Sequence, residues 1–439
     1  MALLMFAATN HRSLRDRAEL DLRTPALTGT RPPAGSTWPA MAYPIASIFG
    51  ANASGKTALI DALHYAIVAV RASAREWLGA SDMPRAPFGL EAATRAGASA
   101  YEFDFVLGDT RYRYSFSVDP AGVADEHLRA AVGTRWRELY ARGRVSGETR
   151  LTLGRGIRMI EVAPRELVLS RALVVDHANL AHIASGLSDL LDVLPLGETY
   201  RHDRINAVAE DLAAGRVTFE EVTTLLRAAD TGISAVSIRE DRMPKRVREL
   251  MLAFMSAREK TVAPDADDDE DTLDIPEFMR SLEFTHRGTD PTAPPLRLAN
   301  ESAGTIAWLA LAVPVIRALR RGSVIVVDEL DSSLHPHLFE TLVGAFADPS
   351  VNTRGAQLIC TCHDSYLLTN LSDVELAPGQ VWFTEKGRDG ATTLFSLADF
   401  PRHPDDNRAR RYLLGRYGAV PHPSPSLIAA LVLEDAEAV

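Results

Sequence analysis

Apolar and polar residues alternate along this chain in patterns that predict strands and helices in succession. Residues 3–22 alternate with a period of two, which predicts a strand, a turn and a second strand. Residues 45–49 form a short apolar run typical of a buried strand, and residues 58–67 have the apolar spacing of a packed helix that continues to about residue 75. Residues 24–44 contain five prolines and predict a loop between these elements.

Strict alternation returns in the middle of the chain. It covers residues 101–107 and 111–118, with Gly108 and Asp109 at the turn between them, which predicts a β-hairpin. Two further short strands are expected at residues 136–140 and 150–153. The pattern therefore predicts an antiparallel β subdomain over residues 100–160.

The last third of the chain returns to an α/β pattern. A helical stretch at residues 187–229 and a short strand at 230–240 come before it. The elements that we then expect are a helix at 302–320, a strand at 323–327, a helix at 337–346, a strand at 357–361 and a final hairpin at 381–385 and 392–395.

Length and composition restrict the class of protein. A chain of 439 residues predicts two lobes or domains, and 46% apolar residues is the content of a soluble globular protein. No apolar run reaches the roughly 18 residues of a membrane helix, and the first residues lack a basic region, so we expect a cytoplasmic protein without a membrane partner. Cys360 and Cys362 share one face of a predicted strand, which predicts two buried free thiols.

The formal net charge of −11 argues against nucleic-acid binding by the whole surface, although it allows a local basic groove. Arginines cluster over residues 135–158, and we expect them on a solvated face of the β-rich lobe. Acidic residues fill positions 265–271, which predicts a disordered loop; a partner-binding acidic motif is the alternative.

One motif carries specific chemistry. Residues 50–57 have the form G-x-x-x-x-G-K-[ST] between the predicted strand and helix, whereas a chance glycine turn would lack these flanks. In such a loop backbone N–H groups face phosphate oxygens, Lys56 reaches the β- and γ-phosphates, and Thr57 binds Mg²⁺. The candidate nucleotide-binding residues are Gly50, Ala51, Asn52, Ala53, Ser54, Gly55, Lys56 and Thr57.

Two later strands end in polar residues. The first delivers Asp328 and Glu329 to the edge of the sheet, where Asp328 can hold Mg²⁺ and Glu329 can activate a water molecule. The second ends in His363, whose imidazole can contact the γ-phosphate or that water. Surface acids at a strand end, a structural histidine and a Cys362–His363 nucleophile pair are the alternatives.

A second anion site is predicted where the helix before the acidic strand begins. Ser302 and Gly304 lie there, and helix N-termini attract anions. Since the phosphate loop already fills this role within one subunit, the second site suggests binding of a neighbouring subunit's phosphate. An ordinary N-cap is the alternative.

Together these motifs resemble the ABC-type ATPase head of the overcoming-lysogenisation-defect (OLD) and RloA-like families, which are related to SMC and recombination-repair ATPases. Residues 50–57 resemble Walker A, 324–329 Walker B, 300–305 a divergent signature, 331–336 the D-loop, and His363 the switch histidine. Phe6, Asn10 and Ser13 resemble an opening motif of the family, in which Arg12 would touch nucleotide. The signature departs from the transporter form, and His335 replaces the usual D-loop aspartate.

The resemblance implies an α/β P-loop NTPase of ABC-head type with an antiparallel β subdomain and a helical lobe. The expected domains are residues 1–75 (first part of the ATPase core), 76–180 (β-rich), 181–295 (helical) and 296–439 (second part of the core). The resemblance also implies that ATP and Mg²⁺ are ligands. It further implies a head-to-tail dimer or higher oligomer in which Ser302 and Gly304 cap the γ-phosphate bound by the partner subunit.

The function that the resemblance implies is an ATPase sensor or motor in anti-phage defence. Since we expect no room for a C-terminal Toprim nuclease, a separately encoded effector of that type is the expected partner. The main alternative is a DNA-repair or chromosome-maintenance ATPase, for which DNA would be a ligand. A transporter subunit and a non-hydrolysing scaffold are further alternatives.

Overall fold

The computed structural model describes residues 1–145, 148–194, 199–246, 248–250, 278–290, 292–401, 407–421 and 426. The strands are β1 (Ala2–Thr9), β2 (Ala18–Asp21), β3 (Ile45–Phe49), β4 (Ser99–Leu107), β5 (Thr110–Asp119), β6 (Gly122–Val132), β7 (Arg135–Val145), β8 (Glu148–Leu153), β9 (Leu191–Val193), β10 (Ile233–Arg242), β11 (Phe278–His286), β12 (Leu296–Arg297), β13 (Val324–Val327), β14 (Gln357–Thr361), β15 (Val381–Lys386) and β16 (Thr392–Ser396).

The α-helices are α1 (Lys56–Glu76), α2 (Ala92–Ala96), α3 (Val168–Val174), α4 (Ala181–Leu190), α5 (Thr199–Ala213), α6 (Phe219–Ala228), α7 (Ala303–Arg321), α8 (Pro336–Ala347) and α9 (Arg408–Leu413). Single 3₁₀ turns lie at Trp38–Met41, Leu298–Asn300, Tyr366–Leu368, Pro378–Gln380 and Leu397–Asp399. The acidic run at 265–271 lies outside the described residues.

A six-stranded sheet in the order β16-β15-β3-β14-β13-β9 forms the α/β core. Its inner strands are parallel, and β16 pairs antiparallel with β15 at one edge. Side chains of β3 and β13 alternate between the two faces, so the strands are buried on both sides, as a parallel sheet requires. Helices cover both faces: α1 contributes to one hydrophobic core, and α7 and α8 contribute to the other.

The second sheet is antiparallel, with the order β2-β1-β4-β5-β6-β7-β8. Its inner face shares a hydrophobic core with α1, α3 and α4. The predicted antiparallel subdomain is present, but strand β6 was not predicted. β1 and β2 also pair within this sheet, so strand pairing crosses the domain boundary predicted at residue 75. The domain boundaries stay a prediction.

Two other elements differ from the sequence pattern. The stretch predicted as helical from residue 187 contains the strand β9, which pairs with β13 at the edge of the core sheet. The strands β11 and β12 join β10 in a separate three-stranded sheet. A strand of three residues is too short for a period to be visible in the sequence, and only its pairing with β13 defines it.

Two helices, α1 and α7, are long and apolar enough by length and composition to cross a membrane. However, 61% of the most apolar window of each is buried inside the protein, and core helices of soluble proteins pass the same test. Their apolar side chains pack on the core sheet, which accounts for their composition.

Candidate nucleotide site

The phosphate loop lies between the end of β3 and the start of α1, as the sequence predicts. It ends at Gly55, whose φ of 108° is in the left-handed region that favours glycine. A Cβ at Gly55 would lie 2.1 Å from Thr392 Oγ1. The loop is therefore held against the β15–β16 hairpin at a place where no side chain fits.

Two threonines of that hairpin bind the loop directly. Thr384 shares a 2.6 Å hydrogen bond with the Ser54 hydroxyl, and Thr392 donates to the carbonyl of Ser54 at 2.8 Å. Thr392 also bonds the hydroxyl of Ser13 at 2.9 Å, which connects the opening motif to the phosphate loop. Sequence reasoning missed both threonines because the hairpin is more than 300 residues away along the chain.

Lys56 is only 5% exposed and lies inside the loop. Its Nζ donates to the carbonyl oxygens of Gly50 at 2.7 Å and Ala51 at 3.2 Å. Burial lowers the pKa of Lys56, and the nearby carboxylates of Asp328 and Asp331 oppose this shift. The ammonium group is thus held at the loop's interior by neutral oxygens that an anion can replace, while Asn52 and Ala53 at the tip are exposed.

Asp328 lies directly after β13 and faces Thr57 across the sheet edge. Thr57 donates its hydroxyl hydrogen to Asp328 Oδ2 at 2.9 Å. Two ligands at roughly 2.0–2.1 Å in an octahedral Mg²⁺ shell are separated by about 2.9 Å. These two oxygens therefore fit a Mg²⁺ site whose other ligands would be phosphate oxygens and water. In the described chain, no group of three or more His, Cys, Asp or Glu residues could hold a metal by itself.

Glu329 and His363 meet at the same edge of the sheet. His363 Nε2 lies 3.2 Å from Glu329 Oε1, and both side chains are partly exposed, at 39% and 45%. Glu329 has a φ of 53°, a conformation that costs a non-glycine residue roughly 1–2 kcal/mol. Its backbone N–H is held by Thr361 Oγ1 at 2.7 Å.

Thr361, the last residue of β14, connects the two acidic residues. Its hydroxyl accepts the Glu329 N–H and donates to Asp328 Oδ1 at 2.5 Å, while the residue itself is fully buried. Asp331 makes a second connection: its Oδ2 accepts the backbone N–H groups of His363 and Asp364 at 2.8 and 2.6 Å. Its Oδ1 is buried and has no partner among the described residues, and burial raises the pKa of Asp331.

The residues of the opening motif hold the neighbouring loop. Asn10 donates to three carbonyl oxygens at residues 94, 97 and 98 and accepts the N–H of Phe88. Arg12 is 53% exposed and pairs with Asp61, one turn beyond Thr57 on α1. The predicted contact between Arg12 and nucleotide stays a prediction.

Ser302 caps α7, because its hydroxyl accepts the N–H of Thr305 at 3.0 Å. Ser302 is nevertheless exposed, and a Cβ on Gly304 would lie 3.4 Å from the carbonyl of Ser333 in the segment that resembles the D-loop. The structure thus shows the N-cap alternative, and this cap leaves the start of the helix open to another molecule.

Cys360 and Cys362 are free and buried, with their sulfur atoms 3.9 Å apart. The hydrogen bond to Cys360, together with burial, raises the pKa of the Cys362 thiol. Two free thiols were predicted, and a protonated, buried thiol is a poor nucleophile.

Known proteins are similar to this chain at the level of a family model and of solved structures. A comparison with curated proteins found no match. Among 82 matching solved chains is the crystal structure of an SMC head bound to the C-winged helix domain of ScpA, with 14% identity, a TM-score of 0.43, and coverage of 90% of this chain and 97% of that one. A family model described as "AAA domain, putative AbiEii toxin, Type IV TA system" matches residues 45–369, well over half of the chain. The protein therefore belongs to this family of AAA-type ATPase domains, and its α/β fold is that of a P-loop NTPase.

Proposed function

We propose that this protein binds and hydrolyses ATP with Mg²⁺, as an ABC-type ATPase that dimerises when ATP is bound. The observation that supports this proposal most directly is that four side chains meet at one edge of the core sheet. Thr57 and Asp328 are 2.9 Å apart, and Glu329 and His363 are 3.2 Å apart, although these pairs are separated by 271 and 34 residues in the chain. Such a cluster beside a phosphate loop suits phosphoryl transfer to water.

Binding of the triphosphate is the task of the loop and of Lys56. An incoming phosphate would compete with the carbonyls of Gly50 and Ala51 for the ammonium group, and the charge-assisted bond to phosphate is the stronger one. The negative charge would also reverse the lowering of the pKa of Lys56. A Mg²⁺ ion held by Thr57 and Asp328 would neutralise part of the negative charge of the phosphates.

Chemistry is the task of Glu329 and His363. Glu329 is the candidate general base because its carboxylate is exposed at the sheet edge and oriented by a backbone bond to Thr361. His363 contacts that carboxylate through Nε2, and an N–H of its imidazole would donate to the charge that develops on the transferred phosphoryl group when ATP is bound.

The start of α7 is the candidate contact between two subunits. Ser302 and Gly304 present a capped, exposed helix N-terminus, which can contact the γ-phosphate of a second copy in a head-to-tail dimer or higher oligomer. In this arrangement ATP would join two subunits, and hydrolysis would release them.

The biological setting that we propose is bacterial anti-phage defence in the cytoplasm. Two findings support it: the motif resemblance to OLD and RloA-like ATPases, and a family description that includes a putative toxin of a toxin–antitoxin system. A separately encoded effector, such as a Toprim-type nuclease, would carry out the final step. Co-purification of such a partner with the tagged chain tests this part of the proposal.

The ATPase part is tested with Glu329→Gln. We expect this variant to bind ATP, to hydrolyse it very slowly, and to accumulate a dimer visible by size-exclusion chromatography with light scattering. Glu148→Gln, the same change at an exposed position in β8, is the matched control and should behave as wild type. Unimpaired turnover in Glu329→Gln would remove this residue from the role of base.

The contact in trans is tested at Ser302 with two variants that both retain an N-cap. Ser302→Asp places a negative charge where the partner's γ-phosphate would lie, whereas Ser302→Asn has nearly the same shape without the charge. We expect the Asp variant alone to lose the ATP-dependent dimer while it still binds ATP. Equal dimerisation of the two variants would contradict the head-to-tail arrangement.

A further inference from the structure

A cavity lined by arginines lies on the side of the antiparallel sheet opposite α1. It has a volume of about 530 Å³ and lies between the loop at residues 27–32 and the outer surface of β5 and β7. Its lining includes four arginines, Arg23, Arg31, Arg111 and Arg113, and contains no acidic residue. It shares no residue with the phosphate loop.

The charge balance around this cavity is positive, although the whole chain has a net charge of −11. Asp21 neutralises Arg23 through two hydrogen bonds of 2.7 Å. The carboxylate of Asp104, which is fully buried, is shared by Arg111 and Arg113. One carboxylate for two guanidinium groups leaves an excess positive charge, and Arg31 adds another.

The arginines have different roles. Arg111 is structural: it is 4% exposed, binds both oxygens of Asp104, and donates to the carbonyl of Gly29 at 2.7 Å. It therefore fixes the loop that forms one wall. Arg113 is 40% exposed and gives its Nε–H to Asp104, so the fork of its two Nη groups makes no hydrogen bond to the described residues.

An aromatic side chain holds the Arg113 guanidinium in place. The guanidinium carbon Cζ of Arg113 lies 4.7 Å from the centre of the Trp136 ring, and Cζ of Arg111 lies 5.5 Å from the same centre. Stacking on an indole ring restricts the plane of the guanidinium and orients its free fork before a ligand arrives. Arg31, which is exposed on the loop, forms no ion pair with the described residues.

We propose that this cavity binds a phosphate ester, with the Arg113 fork and Arg31 as its anion-binding groups. A planar fork matches two oxygens of a phosphate, and a cavity of a few hundred Å³ accommodates one nucleotide unit. The phosphate can come from a nucleic-acid strand or from a free nucleotide, because both present the same group. The site is separate from the ATP site of the proposed ATPase.

The experiment uses the full chain with Lys56→Ala, which weakens nucleotide binding at the phosphate loop and makes the readout independent of hydrolysis. Binding of a fluorescein-labelled oligothymidylate is followed by anisotropy, and binding of ADP by equilibrium dialysis. Arg113→Gln and Arg31→Gln are compared with Arg150→Gln, which removes the same charge from the exposed edge strand β8. Arg113→Gln leaves Asp104 paired with Arg111, and urea unfolding verifies that each variant folds.

We expect Arg113→Gln and Arg31→Gln each to weaken binding by about tenfold, while Arg150→Gln has no such effect. For the oligonucleotide, each lost phosphate contact should reduce the slope of log K against log salt by about 0.7. Arginine-dependent binding of the strand alone identifies a nucleic-acid site, and arginine-dependent binding of ADP identifies a site for a free phosphate ester; either result supports the proposal. Absence of binding for both probes, or equal affinities for Arg31→Gln and Arg150→Gln, overturns it.

Discussion

Thr361→Val removes one hydroxyl group that serves both acidic residues of the candidate site. Threonine and valine have nearly the same shape, so the substitution leaves no cavity in this fully buried position. It deletes the bond to the Asp328 carboxylate and the bond from the Glu329 N–H. Both hydrogen bonds are lost through the change of one atom. This variant is therefore a specific probe of how Asp328 and Glu329 are held in position.

The expected loss in the free energy of unfolding follows from these two hydrogen bonds. A hydrogen bond to a charged group contributes about 1.5–3 kcal/mol and a neutral one about 0.5–1.5 kcal/mol, so Thr361→Val should lower the free energy of unfolding by about 2–4.5 kcal/mol. Glu329 would also lose the support of its left-handed backbone conformation. We therefore expect kcat for ATP hydrolysis to fall at least about tenfold, with a smaller change in KM.

The matched variant is Thr361→Ser, which retains the hydroxyl and loses one methyl group, at a cost of about 1 kcal/mol. Urea unfolding followed by circular dichroism gives the stability, and phosphate release at saturating MgATP gives kcat. We expect the Ser variant to keep kcat within a few-fold of wild type. If the Val and Ser variants have the same kcat, the hydroxyl does not position Glu329 and the reasoning is refuted.

Four further results are expected. Lys56→Ala should weaken ATP binding itself by at least about tenfold because a charged bond to phosphate is lost, and normal affinity in titration calorimetry would contradict the loop assignment. Gly55→Ala should lower the melting temperature more than Gly35→Ala, since both glycines have positive φ but only Gly55 would clash, with Thr392; equal shifts would argue against that packing. Burial raises the pKa of Asp331, so the stabilising contribution of this residue is present below its unfolded-state pKa and is lost as pH rises through its folded-state pKa. Wild type should therefore gain stability relative to Asp331→Asn as pH falls from 7 to about 4. A difference in the free energy of unfolding that stays constant with pH in urea titrations would contradict this. Removal of divalent cations with EDTA should stop phosphate release, and added Mg²⁺ should restore it; turnover in EDTA would exclude a metal requirement.

Much of the core could be predicted from the chain because its signals are local. The strands at residues 45–49 and 357–361 have the predicted bounds, and α1, α7 and α8 differ from their predicted ranges by one or two residues. Glycine spacing, buried apolar runs and terminal acids are features of contiguous residues. The bonds between Thr57 and Asp328 and between Glu329 and His363 follow from the motif, because carboxyl ends of parallel strands meet at one edge.

Other parts have no local signal. The three residues of β9 are too few to show a period, and β6 contains charged residues, including the buried Glu126, at positions where a sequence pattern would suggest exposure. The cluster of arginines at 135–158 was expected to be solvated, yet Arg142 is 1% exposed and bonds carbonyl oxygens at residues 163 and 166. Burial of such charged groups depends on partners that are distant in the chain.

The sequence by itself determined the class of this protein: a phosphate loop between strand and helix, an acidic strand end and a histidine strand end are enough to define a P-loop ATPase. Only the tertiary structure decided how these parts are held. Thr361 joins Asp328 to Glu329, Asp331 joins the segment at residues 331–336 to the backbone of His363, and Thr392 packs against Gly55. The physical reason is that a motif is read from neighbours along the chain, whereas hydrogen bonds and close packing connect residues that only folding brings within 3 Å.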